Sequence, residues 1–167
     1  MWYAKEVAEL RQDAAHNSLL QTSDAVIGAT VVSSLVLGFL FPLSLAPTLP
    51  RALTFIAGGG LTLVGAVFFV VSSLQLRRER QPSEPGKPTT RLITKGIFAL
   101  SRNPLYFGLL VACAGMALLF NWLWLLILLI PAMVAVRYVL IVPEERYLEA
   151  KFGEQYRQYV RSVRRWI

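Results

Sequence analysis

Long apolar segments separated by short polar ones dominate the chain. Residues 25–46 and 52–76 form two such segments, and neither contains a charged residue. A helix that crosses the hydrocarbon core of a bilayer needs about 20 predominantly apolar residues. Each segment is therefore long enough to form one membrane-spanning helix.

The third apolar segment, 103–142, is too long for a single span. At about 1.5 Å per residue it would extend about 60 Å as one helix, which is twice the hydrocarbon thickness. Asn121-Trp122 is the one polar interruption near its middle. We therefore expect a hairpin of two helices, at 103–120 and 122–142.

Small residues recur in the predicted spans, and small residues allow membrane helices to approach closely. Gly58, Gly59 and Gly60 would give close backbone approach in the second span. In the hairpin, Gly108 and Gly115 favour close packing between its two arms.

The pattern as a whole predicts an all-α fold. We expect a polytopic integral membrane helical bundle of about four transmembrane helices, in a single domain that covers 1–167. Residues 1–24 mix polar and apolar positions and suit an interfacial helix. Residues 143–167 alternate charges with aromatic side chains, which predicts a cytoplasmic amphipathic tail of one or two helices after the C-terminal helical hairpin.

Composition and charge agree with this topology. The chain is 55% hydrophobic and 16% charged, with a mean hydropathy of +0.51. The loop 77–102 carries seven Lys and Arg against two acids, and cytoplasmic loops collect Lys and Arg. We therefore expect this loop and both termini on the cytoplasmic side, most simply of the inner membrane. The same rule explains the net charge of +7, so no nucleic acid partner is expected, and no metal site is expected because the single histidine, His16, lies in the N-terminal segment.

Arg137 is an ionisable residue inside a predicted span. A charge in that position costs several kcal/mol unless it is paired or faces a polar cavity. Glu144 follows seven residues later, on nearly the same face of an α-helix, and Glu145 lies about 80° further round. This spacing predicts a buried charge pair, and the alternative is that Arg137 extends to the nearby interface.

Arg102, Asn103 and Tyr106 stand at the start of the third span. Because the hairpin folds back, they should end on the same membrane face as residues 137–145. Two arginines, two carboxylates, an amide and a phenol are then expected to converge where lipid meets water. The structural alternative is that Ser101 or Asn103 only caps the helix.

The last third of the chain also combines several short motifs in a fixed order: Gly96, Phe98, Ser101-Arg102-Asn103-Pro104, Tyr106, Gly108, Glu144-Glu145, Leu148, Phe152-Gly153, Tyr156, Tyr159 and Val163. This order resembles the membrane methyltransferase superfamily, which contains isoprenylcysteine carboxyl methyltransferases and phospholipid N-methyltransferases. The resemblance covers about residues 91–167, whereas the N-terminal half matches only in hydropathy.

The resemblance implies S-adenosyl-L-methionine as methyl donor, and as acceptor a membrane-derived lipid or a prenylated small molecule that arrives from the bilayer. Transfer would take place at the cytoplasmic membrane face. By position, the cofactor-binding residues would be Arg102, Asn103, Tyr106, Glu144, Glu145 and Tyr156. Arg137 and Glu144 would be the catalytic residues near the reacting centre.

Asn103 departs from the carboxyl methyltransferases, which usually have His at that position, and matches the phospholipid branch better. Asn cannot act as a general base near neutral pH. A carboxylate acceptor needs no base, whereas an amine must lose a proton, for which Glu144 or Glu145 is the only evident acceptor. Two other functions remain open: a non-catalytic membrane scaffold of the same fold, and a sterol-reductase-like nicotinamide-dependent enzyme, although such reductases are generally longer.

Overall fold

The computed structural model describes residues 23–44, 50–81 and 89–167. Within these ranges the secondary structure is helical and no β-strand forms, which confirms the predicted all-α class. Most of the predicted interfacial segment, 1–24, lies outside the described residues. The helices are α1 (Ser23–Leu40), α2 (Arg51–Arg78), α3 (Pro104–Leu119), α4 (Leu123–Ala135), a π-helical segment (Val136–Ile141), α5 (Val142–Phe152) and α6 (Glu154–Ser162), with a short 3₁₀ helix at Gly96–Ala99.

The described helices include three that are long and apolar enough to cross a membrane: α1, α2 and the continuous helix Leu123–Phe152. The fourth predicted span, α3, is apolar but has only 16 residues. The hairpin prediction is confirmed, since α3 and α4 are joined by a turn in which Asn121 has a φ of 56°. The helix continues without a break past residue 142 through α5, so the end predicted for the fourth span does not coincide with the end of a helix.

The glycines of α3 pack on α2, so the expectation that they join the two arms of the hairpin is wrong. The α2–α3 contact is the most extensive between the described helices. A Cβ added to Gly58 would lie 2.8 Å from the carbonyl oxygen of Gly115, and one added to Gly108 would lie 2.7 Å from that of Gly65. The two backbones are therefore in direct contact. We call these four residues the glycine seam.

The far end of the bundle is closed by two tryptophans from the hairpin turn. The indole N–H of Trp122 donates to the carbonyl of Ser34 at 3.3 Å, and that of Trp124 donates to Phe41 at 2.7 Å. A single β-bridge also joins Ser44 to Trp122. Both indoles thus fasten α1 to the start of α4.

The opposite end, where α2 ends and α3 and α5 begin, holds most of the charged side chains, and we call it the charged end. There the Gln75 side chain accepts from the Ile97 N–H and donates to the Lys95 carbonyl. Gly96 between them has a φ of 64°, and a Cβ at this position would collide with the Gln75 amide. This clamp fixes the chain that leads into Arg102 and α3.

Candidate functional site

A cluster of charged and phenolic side chains assembles at the charged end from three parts of the chain. Arg102 immediately precedes α3, and Glu144 and Glu145 lie in the first turn of α5. Tyr156 is on α6, and Arg165 is in the tail that follows α6. The structure therefore brings together residues that are up to 63 positions apart in the sequence.

Glu145 is the centre of this cluster. Its Oε1 and Oε2 accept from Nε and Nη2 of Arg165 at 2.9 and 2.6 Å, which is a bidentate pair. Nη1 of Arg102 lies 3.2 Å from Oε1. The side chains of Arg102 and Glu145 are only 11% and 16% exposed, so these charges interact under weak solvent screening.

Arg102 has hydrogen-bonding capacity that the protein leaves open. Its Nη1 donates to the Tyr156 hydroxyl at 3.5 Å. Its Nε is buried and has no hydrogen-bond partner among the described residues. A buried donor without a partner costs about 1–3 kcal/mol, more when it is charged. An acceptor that reached this nitrogen would remove that penalty.

Tyr156 stays a neutral phenol under ordinary conditions. Burial, followed by the nearby Glu145 carboxylate, raises the pKa of Tyr156 to about 12, although Arg102 opposes the shift. The phenol therefore keeps its proton as a hydrogen-bond donor. Tyr156 also lines an open surface cavity of about 250 Å³, together with Glu149, Arg157, Val160 and Arg161.

Glu144 is held separately from Glu145. Its Oε2 accepts from the Tyr106 hydroxyl at 3.1 Å. Tyr106 packs against the buried cluster of Val136, Leu140 and Ile141, which fixes the direction of the phenol. This hydrogen bond links α3 to α5. It agrees with the expectation, from the hairpin, that Tyr106 and Glu144 lie at the same end of the bundle.

Asn103 and Ser101 bind the backbone of the C-terminal tail. The Asn103 amide and the Ser101 hydroxyl donate to the carbonyl oxygen of Arg165 at 3.2 and 3.1 Å. The Arg102 N–H donates to the Arg164 carbonyl at 3.0 Å. The N-cap residue of α3 is Asn103, and no side-chain hydrogen bond caps the helix there. Asn103 therefore lies beside the cluster, with its amide donated to the protein itself.

Arg137 is not brought into the cluster. Its side chain is exposed, and its guanidinium carbon lies 5.3 Å from the centre of the Tyr138 ring. The cause is the π-helical segment, in which the Val142 N–H bonds to the Arg137 carbonyl five residues back. Pro143 has no N–H to donate to Val139, as an α-helix would require. The π turn holds about one residue more than an α turn, so Glu144 is rotated by about 100° from the face shared with Arg137 that α-helical geometry predicts.

Sequence reasoning missed Arg165, and it did not identify the partners of Ser101 and Tyr159. Tyr159 donates to the Phe98 carbonyl at 2.6 Å and so fastens α6 to the 3₁₀ helix. The motif order did include Ser101 and Tyr159, but it did not indicate their partners. Arg165 lies in a basic run, Arg164-Arg165, within the segment 143–167 that sequence analysis predicted only as an amphipathic tail.

Comparison with known proteins identifies the family. The sequence model of the phospholipid methyltransferases (PEMT) matches residues 53–155, which is more than half of the chain. The chain belongs to this family. The match includes α2, the glycine seam, Arg102 and both glutamates of the cluster. Membership agrees with the described helices that are apolar and long enough for an integral membrane protein.

One curated relative matches this chain over a short stretch. An uncharacterized protein of Haemophilus influenzae is 59% identical over 27 residues, which is 16% of this chain and 43% of that protein. The chain thus covers less than half the length of this curated relative. No solved structure matches this chain.

Proposed function

We propose that this protein transfers a methyl group from S-adenosyl-L-methionine to a membrane-derived lipid or prenylated small-molecule acceptor. The reaction would take place at the cytoplasmic face of the inner membrane, the side to which the positive loop 77–102 is assigned. The observation that carries the proposal is the buried, unpartnered Nε of Arg102 within the charged cluster.

The donor set fits a zwitterionic nucleoside cofactor. Arginine binds carboxylates through charge-assisted hydrogen bonds, and Arg102 has a free donor for this purpose. A carboxylate offers about four acceptor positions, and Glu144 uses Oε2 for Tyr106. Glu144 therefore keeps acceptor capacity for an amine or for ribose hydroxyls. Tyr156, as a neutral phenol, supplies a donor at the edge of the same cluster.

The cofactor supplies an electrophilic methyl group on a sulfonium, and its displacement neutralises the positive charge on sulfur. The protein's task is mainly to hold the two reactants in line, which can supply much of the rate enhancement. The charged end lies beside the apolar spans, so an acceptor with a lipid tail can present its polar head to the cluster.

The proton requirement depends on the acceptor. A carboxylate is already a nucleophile, and an arginine of the cluster would orient it. An amine must first lose a proton, and Glu144 is the carboxylate best placed to take it, because both oxygens of Glu145 accept from Arg165. Asn103 has no such role, because an amide is not a base and its N–H group is donated to the tail. This geometry favours Glu144 over Arg137 as the catalytic residue.

Calorimetric titration of the detergent-purified protein with S-adenosylhomocysteine tests the proposal. We expect saturable binding by the wild type and a loss of at least about tenfold in affinity for Arg102→Ala. Arg91→Ala is the matched control, because the Arg91 side chain is 74% exposed and pairs with Glu79 on the surface, away from the cluster. Absence of binding in folded wild-type protein would overturn the proposal and favour a non-catalytic scaffold.

The acceptor class is tested next, with a methyl-labelled cofactor. Vesicles that contain amine-headed phospholipids are compared with micelles of a prenylated cysteine. Label in the organic phase with the first substrate alone would identify a phospholipid amine. Label with the second alone would identify a prenylated carboxylate.

A further inference from the structure

We infer that Arg165 is a positioning residue of this site: by holding both oxygens of Glu145, it keeps the Nε of Arg102 available for an anionic group of the ligand. The inference rests on the proposed function, since it assigns Arg165 a part in binding the same cofactor. Arg165 lies outside the stretch that matches the family model, which ends at residue 155.

The geometry of the two arginines around Glu145 is unequal. Arg165 presents its guanidinium edge and makes two short hydrogen bonds, at 2.9 and 2.6 Å. Arg102 contacts Glu145 through Nη1 at 3.2 Å, and its buried Nε has no hydrogen-bond partner among the described residues. A planar guanidinium binds a carboxylate best in the bidentate mode. Because Arg165 occupies that mode, Arg102 is kept from closing onto Glu145 in the same way.

The tail does not depend on this ion pair for its attachment. Two side chains, from Ser101 and Asn103, hold the Arg165 carbonyl, and the Arg102 N–H holds the Arg164 carbonyl. Trp166 packs against the buried cluster of the π-helical segment. The guanidinium of Arg165 can therefore be removed while the backbone of the tail stays in place, which separates a positioning role from a merely structural one.

The removal of Arg165 has a specific consequence in this arrangement. In Arg165→Gln, the Glu145 carboxylate loses its bidentate partner, and Arg102 is the nearest cation that can replace it. Arg102 would then turn its Nε and one Nη toward Glu145 and would no longer offer Nε to a ligand. If Glu145 is also replaced by the neutral glutamine, no carboxylate attracts Arg102, and its Nε stays available.

A double-mutant cycle tests this with S-adenosylhomocysteine as the ligand. We compare the affinities of wild type, Arg165→Gln, Glu145→Gln and the double variant. We expect Arg165→Gln to weaken binding by about tenfold in the wild-type background and to have little further effect in the Glu145→Gln background. Arg165→Lys should rescue only in part, because an ammonium keeps the charge and lacks the planar fork.

The matched control is Arg164→Gln, which changes the adjacent exposed arginine and leaves the tail backbone intact. Its affinity should equal that of the wild type. Hydrogen exchange at the Arg102 amide checks that the tail stays docked in Arg165→Gln, since this amide is bonded to the Arg164 carbonyl. Protection should persist.

The outcomes separate the two proposals. Wild-type binding with an unchanged Arg165→Gln variant, or with additive effects of the two substitutions, overturns the role of Arg165 and leaves the proposed function standing. Loss of protection at Arg102 in Arg165→Gln shows a structural role and also overturns the inference. Absence of any binding by folded wild type overturns the proposed function, and the role of Arg165 with it.

Discussion

The glycine seam and the charged cluster hold different parts of the molecule together, and they do so in opposite ways. In the seam, α2 and α3 touch through backbone atoms, because Gly58, Gly65, Gly108 and Gly115 have no side chains. In the cluster, the long side chains of Arg102, just before α3, and of Arg165, in the tail, reach the Glu145 carboxylate on α5. The seam forms because glycine has no side chain, whereas the cluster forms through ion pairs between charged side chains.

This difference indicates where stability and function reside. Membrane helices gain little from burying apolar surface against each other, so close backbone packing is a main source of their association. A cluster with a buried unpartnered donor stabilises the fold less than a fully paired one would. Changes in the seam should therefore act mainly on stability, and changes in the cluster mainly on ligand binding.

The largest expected effect is that of Gly108→Ala on stability. The new Cβ would lie 2.6 Å from the backbone nitrogen of Phe69, so the helices must separate. We expect a loss of about 1–3 kcal/mol in the free energy of unfolding, measured by denaturation in detergent. Gly59→Ala is the control: its Cβ meets nothing within 4 Å, so the higher helix propensity of Ala should leave stability unchanged or raised. Equal losses in both variants would mean that α2 and α3 do not meet at the seam.

The next effect is that of Glu145→Gln on cofactor affinity. Removal of the central anion takes away the carboxylate that fixes the guanidinium of Arg102 and that of Arg165. We expect S-adenosylhomocysteine to bind at least about tenfold more weakly by calorimetry. Glu79→Gln removes a carboxylate that pairs with exposed Arg91 and should bind like the wild type. An unchanged affinity in folded Glu145→Gln would exclude the cluster as the binding site.

A smaller effect is expected from Tyr106→Phe. The substitution removes one hydrogen bond to Glu144 and preserves the packing of the ring. We expect a few-fold loss of affinity or of the methyl-transfer rate, in line with one hydrogen bond to a charged group. Tyr138→Phe changes an exposed ring and serves as the control. If both variants behaved alike, Glu144 would not depend on Tyr106 for its orientation.

The smallest effect is expected from Arg137→Gln. The exposed guanidinium contacts the Tyr138 ring and lies outside the cluster. S-adenosylhomocysteine should therefore bind with wild-type affinity in the same titration. A tenfold loss would show that Arg137 reaches the site and that the π-helical segment does not turn it away.

Hydropathy and length were sufficient to predict the long apolar helices, the hairpin and its turn at Asn121. The same arithmetic placed Arg102, Tyr106 and the two glutamates at one end of the bundle, because a hairpin returns the chain to the membrane face from which it started. These predictions needed only the thickness of a bilayer and the rise of a helix.

Three features could not be obtained this way. Glycines indicate close packing but do not identify the partner, and α3 pairs with α2 and not with its hairpin neighbour. The positions of Glu144 and Glu145 around the helix, relative to Arg137, were predicted with α-helical geometry. The hydrophobic pattern does not reveal a π turn. The tail of Arg165 leaves α6 in an extended direction that no periodicity specifies.

The π-helical segment shifts the α-helical register within the continuous helix Leu123–Phe152. The directions of side chains after the segment therefore do not follow from the directions of those before it. Residues before the segment are oriented by their contacts with α1 and α3, and residues after it by the cluster. Within this segment, substitution and deletion are therefore different kinds of change. A substitution alters one surface patch, whereas the loss of a single residue would restore the α-helical phase and rotate Glu144 and Glu145 together by about 100° away from Tyr106 and Arg102.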